Sequence, residues 1–267
     1  MDHKKFQKLV WDFYRAHGRD LAWRKTRDPY HIVVSEIMLQ QTQVERVKTK
    51  YEEFLKTFPT WQSLCRAPAG KVLKVWQGLG YNRRALALKK ISEVVVKRYK
   101  GKLPDDPELL ETLPGIGRAT AGSIAAFAFN KPVPFIETNI RRVYLHHFFP
   151  HKNKVSDDML SKLVSQTVSQ SKAGEWYYAL MDYGSMLAKQ IENPNRRSKH
   201  YTKQSKFEGS NRQLRGAIVR ELVNGRAVGL KSLADKLNKS VADISPVILE
   251  LQKDGFVKYH KNSISLQ

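Results

Sequence analysis

Residues 109–120, LLETLPGIGRAT, constrain the fold more than any other stretch of the chain. Leu109 and Leu110 close an apolar helical run, Pro114 stops it, and Gly115 and Gly117 supply positive φ and leave N–H groups uncovered where the next helix begins. Two helices joined by so tight a turn direct several main-chain donors at one point, which makes an anion site. Arg118 follows directly, so the anion expected is a phosphate. The alternative is an ordinary helix end closed by a Pro-Gly turn.

Charge favours the phosphate. Against 25 Asp and Glu stand 47 Lys and Arg, a net charge of +22 spread over all 267 residues rather than held in a tail, so a polyanion is the expected partner. An anionic membrane competes for that role, but the longest apolar run, 121–129, is about half of what a span needs. The opening MDHKKFQKLVWDFYRAHG is an amphipathic helix without an apolar signal core, which points to an intracellular protein, cytoplasmic and nucleoid-associated. Cys65 is the sole cysteine, which excludes a disulfide framework and any four-cysteine zinc or iron–sulfur site. The histidines are scattered, and the adjacent His146 and His147 point to different helix faces, so they suggest no metal site.

Apolar residues recur at helical spacing nearly throughout, as in Val33, Ile37, Val44 and Val47, and almost no segment alternates with period two. The class is mainly α. Breaks at 27–30, 58–60, 67–70, 78–81, 101–107 and 130–134 leave short connections, as in a packed helical bundle. From Asn193 the pattern stops, and NPNRRSKHYTKQSKFEGS, 193–210, reads over 193–208 as a solvated linker or an ordered basic loop. Beyond it, helices at 212–223, 229–237 and 245–253 and two short strands about a turn at Lys261 and Asn262 make 209–267 a small winged-helix (α+β) module. Its third helix carries Asp243 and Glu250, poor for entering a groove, so packing or partner binding is expected of it.

Within SEIMLQQTQV, 35–44, Ser35 reads as a helix start and Glu36, Gln40 and Gln43 share one face. An acid in that row, beside the stripe of Val33, Ile37 and Val44, becomes partly desolvated, which raises its pKa and suits it to protonate a leaving group. A solvated face with an incidental Glu fits the spacing equally.

The segments WRKTRDPYHIVVSEIMLQQTQV (23–44), GLGYNRRA (78–85), LPGIGRATAG (113–122) and LMDYG (180–184) resemble, in order and separation, the helix-hairpin-helix (HhH-GPD) DNA glycosylases, and within them the MutY-type adenine DNA glycosylases. The likeness runs over about residues 6–190. It implies a two-lobed glycosylase domain over 1–192, with a six-helix lobe at about 22–133 and a second lobe from 1–21 plus 134–192. It also implies a monomer that removes a mispaired base from double-stranded DNA, adenine opposite 8-oxoguanine or guanine, after rotating it out of the stack.

Residue by residue, the resemblance makes Glu36 the acid that protonates the flipped adenine at N7. Trp23 and Arg24 line the base pocket, and Asp182 is the acid near the base. Gln40, Gln41 and Tyr81 fill the gap in the duplex and touch the opposite base. Gly115, Gly117, Arg118 and Thr120 hold the DNA backbone. Duller readings stand beside these: Trp23 and Tyr81 as core aromatics, Asp182 as a helix cap or ion-pair partner.

Three departures from the family stand out. Its second catalytic carboxylate is an Asp, and here FIETNIRRV, 135–143, puts Glu137 in that place with Asn139 matching the neighbouring Asn. That carboxylate stabilises the oxocarbenium-like C1′, and an extra methylene moves it by more than a bond length. Glu137 equally suits a cap on the basic helix that follows. The position of the lyase lysine holds Ala119, which implies base removal without a Schiff base. The C-x6-C-x2-C-x5-C cluster loop is replaced by a basic stretch in which Arg196, Arg197, Lys199 and Lys203 suit a phosphate backbone. No iron–sulfur cluster or metal cofactor follows from the sequence, and the superfamily implies at most a structural monovalent cation at the hairpin. Excision of uracil or thymine by the same machinery, and non-catalytic lesion binding, remain the alternatives.

Overall fold

The structure, a computed structural model, describes residues 1–203, 206–224, 227–261 and 263–267. Its helices in chain order are α1 (His3–His17), α2 (Pro29–Leu39), α3 (Val44–Thr57), α4 (Trp61–Arg66), α5 (Ala69–Trp76), α6 (Arg83–Arg98), α7 (Pro107–Glu111), α8 (Arg118–Phe129), α9 (Thr138–Phe148), α10 (Asp157–Thr167), α11 (Ala173–Gln190), α12 (Asn211–Asn224), α13 (Leu230–Lys236) and α14 (Val241–Lys253). The strands are β1 (Val228–Gly229), β2 (Val257–His260) and β3 (Ser263–Leu266). The protein is mainly α, as its periodicity predicts. Two compact units divide the chain, Met1–Glu36 with Pro104–Lys203, and Ile37–Leu103 with Gln204–Gln267.

In the first unit α1, α8 and α9 all pack on α11. Trp176, Tyr177, Leu180, Asp182 and Gly184 of α11 are all buried, the pattern of a helix enclosed by neighbours rather than one with a wet face. Phe6 of α1 brings its ring within 5.0–6.0 Å of the rings of Phe148, Tyr144 and Trp176. Where α9 crosses α11, a Cβ on Gly184 would stand 2.5 Å from the Asn139 carbonyl oxygen. Only glycine admits that approach, which fixes the start of α9.

The turn between α7 and α8 corrects one detail of the sequence reading. Gly115 has φ 76, but Gly117 is extended at φ −97 and serves as the N-cap of α8. A Cβ on Gly117 would meet nothing within 4 Å. Its lack of a side chain therefore leaves the helix N-terminus open rather than permitting a left-handed backbone.

A second correction concerns α2, which begins at Pro29 and not at Ser35. Asp28 caps it by accepting from the Tyr30 N–H at 2.8 Å, with proline in the first helical position. Ser35 is fully buried inside the helix, where its hydroxyl donates to the Ile32 carbonyl.

In the second unit α5 packs on α3 and α6, and α4 on α6. The C-terminal residues add three helices and an antiparallel sheet in the order β1-β3-β2, with Val257 paired to Leu266 and Val228 to Ile264. The ribbon follows the sequence expectation. Asn262 of its turn lies outside the described residues, and the two-residue β1 is too short to carry a pattern. Within this unit α12 packs on α5, and the Leu266 side chain lies 3.5 Å from where a Gly70 Cβ would stand.

Of the two readings of 193–208, an ordered basic loop is what forms over its first part. Pro194–Arg197 is a 3-10 turn, and Val155 and Ser198 form a parallel bridge. Residues 204 and 205 of the stretch lie outside the described residues. Gly184→Ala is expected to destabilise the fold by about 1–3 kcal/mol through the clash with Asn139. Urea unfolding at neutral pH checks this, and a midpoint equal to the parent's would mean that α9 yields freely.

Candidate active site

Glu36 closes the first unit's N-terminal segment, and Ser123 of α8 lies against it with Oγ 2.6 Å from Oε2. Burial pushes the Glu36 carboxyl up from 4.5 to about 7, helped by the charge of Glu137 and opposed by the Ser123 bond and by Arg24. Ser123 Oγ is also 3.0 Å from the Thr120 carbonyl oxygen. A hydroxyl has one proton to give and lone pairs to receive. It donates to Glu36 when the acid is ionised, and it accepts from Glu36 while donating to Thr120 when the acid is protonated. Both states are served without movement of the main chain.

Glu137 is the N-cap of α9, its Oε1 accepting from the N–H groups of Asn139 at 2.7 Å and Ile140 at 2.8 Å. Oε2 takes a long 3.4 Å contact from Asn139 Nδ2. The Asn139 amide is in turn oriented by Arg142, whose Nη1 donates to Asn139 Oδ1 at 2.6 Å and to the Gly184 carbonyl at 2.8 Å. Burial raises Glu137 as well, but the two cap bonds and the charges of Arg142 and Arg141 pull it back. Both carboxyls are thus raised by burial, Glu36 against a serine hydroxyl and a distant guanidinium, Glu137 against two helix N–H groups and two arginines. Capping and charge stabilisation are compatible, because one oxygen is bound to the helix and the other is held beside it.

Arg24 and Asp182 form a two-point ion pair, Nη1 to Oδ2 at 2.8 Å and Nη2 to Oδ1 at 2.7 Å. Arg19 adds its main-chain N–H at 2.8 Å and Nε at 2.6 Å. Burial pushes Asp182 up, but these partners outweigh it and hold the carboxyl below its ordinary value. All four acceptor positions of that carboxylate are filled. Asp182 is thus an ion-pair partner that holds Arg24 and Arg19. The Arg24 guanidinium lies 4.5 Å from the centroid of Tyr178, which stacks on Phe127 at 4.2 Å. Trp23 is 2 % exposed and belongs to the core.

Gln40, Gln41 and Tyr81 belong to the second unit. The expected shared face of Glu36, Gln40 and Gln43 does not form, because α2 ends at Leu39 and Gln43 is the N-cap of α3. The cause is Arg84, which the sequence reading missed. Its buried guanidinium donates to the carbonyls of Ile37, Met38 and Gln40 at 3.0, 2.8 and 2.5 Å, and to those of Leu79 and Gly80, both at 3.0 Å. Burial lowers it only to about 10, so it stays charged. One side chain thereby ends α2 and ties 37–42 to 78–81. Gln41 (φ 53) and Tyr81 (φ 47) are held in left-handed backbone within these turns, a conformation uncommon for such residues and concentrated at working sites.

At the hairpin Gly115, Gly117 and Arg118 are exposed and Thr120 is half-buried. The Leu113 carbonyl accepts from the Ile116 N–H at 3.1 Å and keeps a second lone pair, the donor type that a hard monovalent cation takes. Among the described residues no group of three His, Cys, Asp or Glu could hold a metal ion, and no helix is long and apolar enough to cross a membrane. Of the basic loop, Lys199 and Lys203 are exposed and Arg196 is exposed but paired with Glu192. Arg197 is turned inward, donating to the carbonyls of Leu145 and Pro150. Its guanidinium is held by carbonyls of the fold.

The sequence profile of the HhH-GPD superfamily base excision DNA repair proteins matches residues 34–168. The chain belongs to this superfamily. Similar proteins include an adenine DNA glycosylase of Buchnera aphidicola subsp. Baizongia pistaciae, 33% identical over 184 residues that make up 68% of this chain and 52% of that protein. A thymine/uracil-DNA glycosylase of Pyrobaculum aerophilum is 36% identical over 58% of this chain and 67% of its own length. Among solved structures, a thermostable thymine-DNA glycosylase superposes with a TM-score of 0.62 at 27% identity, covering 70% of this chain and 87% of that one. The chain spans about half the length of the adenine glycosylases it matches.

Because Glu36 binds its proton more tightly when folded, its stabilising contribution is complete below about pH 4.5 and is lost as the pH rises through about 7. Glu36→Gln is therefore expected to match the parent's stability at pH 5 and to exceed it at pH 8 by about 2–3 kcal/mol. Urea unfolding across that range measures the difference, and parallel profiles would show that Glu36 ionises as it does in water.

Proposed function

We propose that this chain is a monofunctional DNA N-glycosylase that hydrolyses the N-glycosidic bond of adenine mispaired with 8-oxoguanine or guanine. The observation that carries the reading is the acid pair, with Glu36 raised to about 7 against Ser123 and Glu137 capped by two helix N–H groups. In the reaction Glu36 gives its proton to N7 of the flipped adenine, so the electrons of the glycosidic bond leave on a neutral base. Positive charge then develops at C1′, where the carboxylate of Glu137 opposes it until water attacks. The longer side chain suits the role because its cap bonds fix the carboxylate that its extra methylene would otherwise free. Asn139, oriented by Arg142, keeps the second oxygen in place.

Gly115, Gly117, Arg118 and Thr120 take the DNA backbone at the open N-terminus of α8, with Lys199 and Lys203 adding charge. A monovalent cation on carbonyls such as that of Leu113 would serve this turn structurally, and the chemistry needs no iron–sulfur cluster. The resemblance of Trp-Arg at 23–24 and of LQQTQV at 39–44 to the adenine branch favours adenine. Thymine or uracil in a mispair is the second reading, supported by the Pyrobaculum relative and the thymine-DNA glycosylase structure.

Single-turnover base release on duplexes carrying A opposite 8-oxoguanine, A·G, U·G and T·G decides between them. Adenine release that Glu36→Gln abolishes is the expected result, and release of only uracil or thymine would move the substrate. The rate is expected to fall as pH rises through about 7, since Glu36 must carry its proton. Ser123→Ala removes a bond that favours the ionised form and is expected to shift that limb upward by about one pH unit. Glu137→Ala is expected to abolish release while duplex binding survives; undiminished turnover would place the C1′ carboxylate elsewhere.

A further inference from the structure

The C-terminal residues share a unit with the turn that carries Tyr81, and the contact between them is specific. Arg212, near the start of α12, donates from Nη1 to the Tyr81 hydroxyl at 2.5 Å, with its guanidinium carbon 5.2 Å from that ring's centroid. Phe207 lies 5.4 Å from the same guanidinium and is 54 % exposed. The Tyr81 ring is also met by the Arg84 guanidinium, 5.5 Å from its centroid. A second tie lies alongside: Arg83 pairs with Asp254 at 2.6 Å, and Asp254 is shared with Arg215, which also reaches Glu250. The main chain of Tyr81 is set by its left-handed φ and by Arg84 below it, whereas its hydroxyl end is set by Arg212.

We infer that Arg212 is a positioning residue for Tyr81, through which the C-terminal module takes part in recognition of the opened duplex. This rests on the proposed function and on the role that the family resemblance gives Tyr81, filling the gap left by the flipped base. An aromatic ring that stacks on bases binds best when it does not have to be ordered on contact. Arg212 supplies that order, since a planar guanidinium beside the ring and on its hydroxyl limits rotation about both side-chain torsions. The exposed Phe207 shields one face of the guanidinium from water, which strengthens its contacts. The module's place in the protein is then to hold the wedge, not to read sequence in a groove.

A double-mutant cycle tests this in the full chain, in a Glu36→Gln background that prevents turnover. Dissociation constants are measured for a duplex with A opposite 8-oxoguanine and for the same duplex fully paired. Tyr81→Ala and Arg212→Ala are each expected to weaken binding of the mispaired duplex by about tenfold while leaving the paired one within about twofold, and the double variant is expected to be no worse than Tyr81→Ala. Arg212→Lys keeps the charge but not the planar fork and is expected to restore less than half of the loss. Should Arg212→Ala disturb the module's folding, Tyr81→Phe removes the shared hydrogen bond alone and is expected to cost about threefold on the mispaired duplex only.

Additive losses, equal weakening of both duplexes, an unchanged constant for Arg212→Ala, or an unaffected Tyr81→Phe would each overturn the inference. Base release by the chain with Glu36 intact, followed on the same duplexes, reports separately on the proposed reaction. Its absence would count against that reaction and not against the coupling of Arg212 to Tyr81.

Discussion

A guanidinium taken out of water must be supplied with oxygens, and Arg84, Arg142 and Arg24 impose that demand on the parts of the chain that matter most. Arg84 collects carbonyls from 37–40 and 79–80 and so decides where α2 ends. Arg142 joins the Gly184 carbonyl to the Asn139 amide and so decides how the cap of α9 faces. Arg24 draws Asp182 into a saturated ion pair. Removing one partner from such an arrangement leaves the other buried and uncompensated, which penalises alternative packings heavily. Asp182 and the Asn139 amide in the first unit, and the turns that carry Gln41 and Tyr81 in the second, are placed by these bonds rather than by local helical preference.

The acid pair shows how one kind of side chain is given two environments. Glu36 and Glu137 are both withdrawn from water, which alone would favour the neutral form of each. Two main-chain N–H groups at a helix N-terminus, with Arg142 and Arg141 behind them, act on Glu137, whereas Glu36 meets the hydroxyl of Ser123. The charge of the first to ionise then raises the other further. The difference in surroundings comes from the donors around each carboxylate and not from residue type.

Helical periodicity made the mainly α class legible, and alternation with turn residues revealed the C-terminal ribbon, because both patterns report on burial within a few residues. LPGIG was legible as an open helix start for the same local reason, although Gly117 needed no positive φ. The row of Glu36, Gln40 and Gln43 failed as a single helix face because its end is set by Arg84, more than forty residues away in sequence. A count of basic residues could not separate Lys199, which faces solvent, from Arg197, which feeds carbonyls of the fold. Whether a charge serves the surface or the interior depends on which oxygens tertiary packing brings to it, and one-dimensional spacing carries no record of that.

Each unit is assembled from two separated stretches, so neither is complete when its first part has been made. As the polypeptide leaves the ribosome, residues 37–103 emerge without α12 to cover α5, and 1–36 emerge without α11. Domains commonly fold as units during synthesis, and exposed apolar surface in the interval invites aggregation. Here the first unit closes only once the segment through residue 203 is out, and the second closes later still. The order of birth of the two units is therefore fixed by their threading, and the half that carries Tyr81 waits longest for its partners.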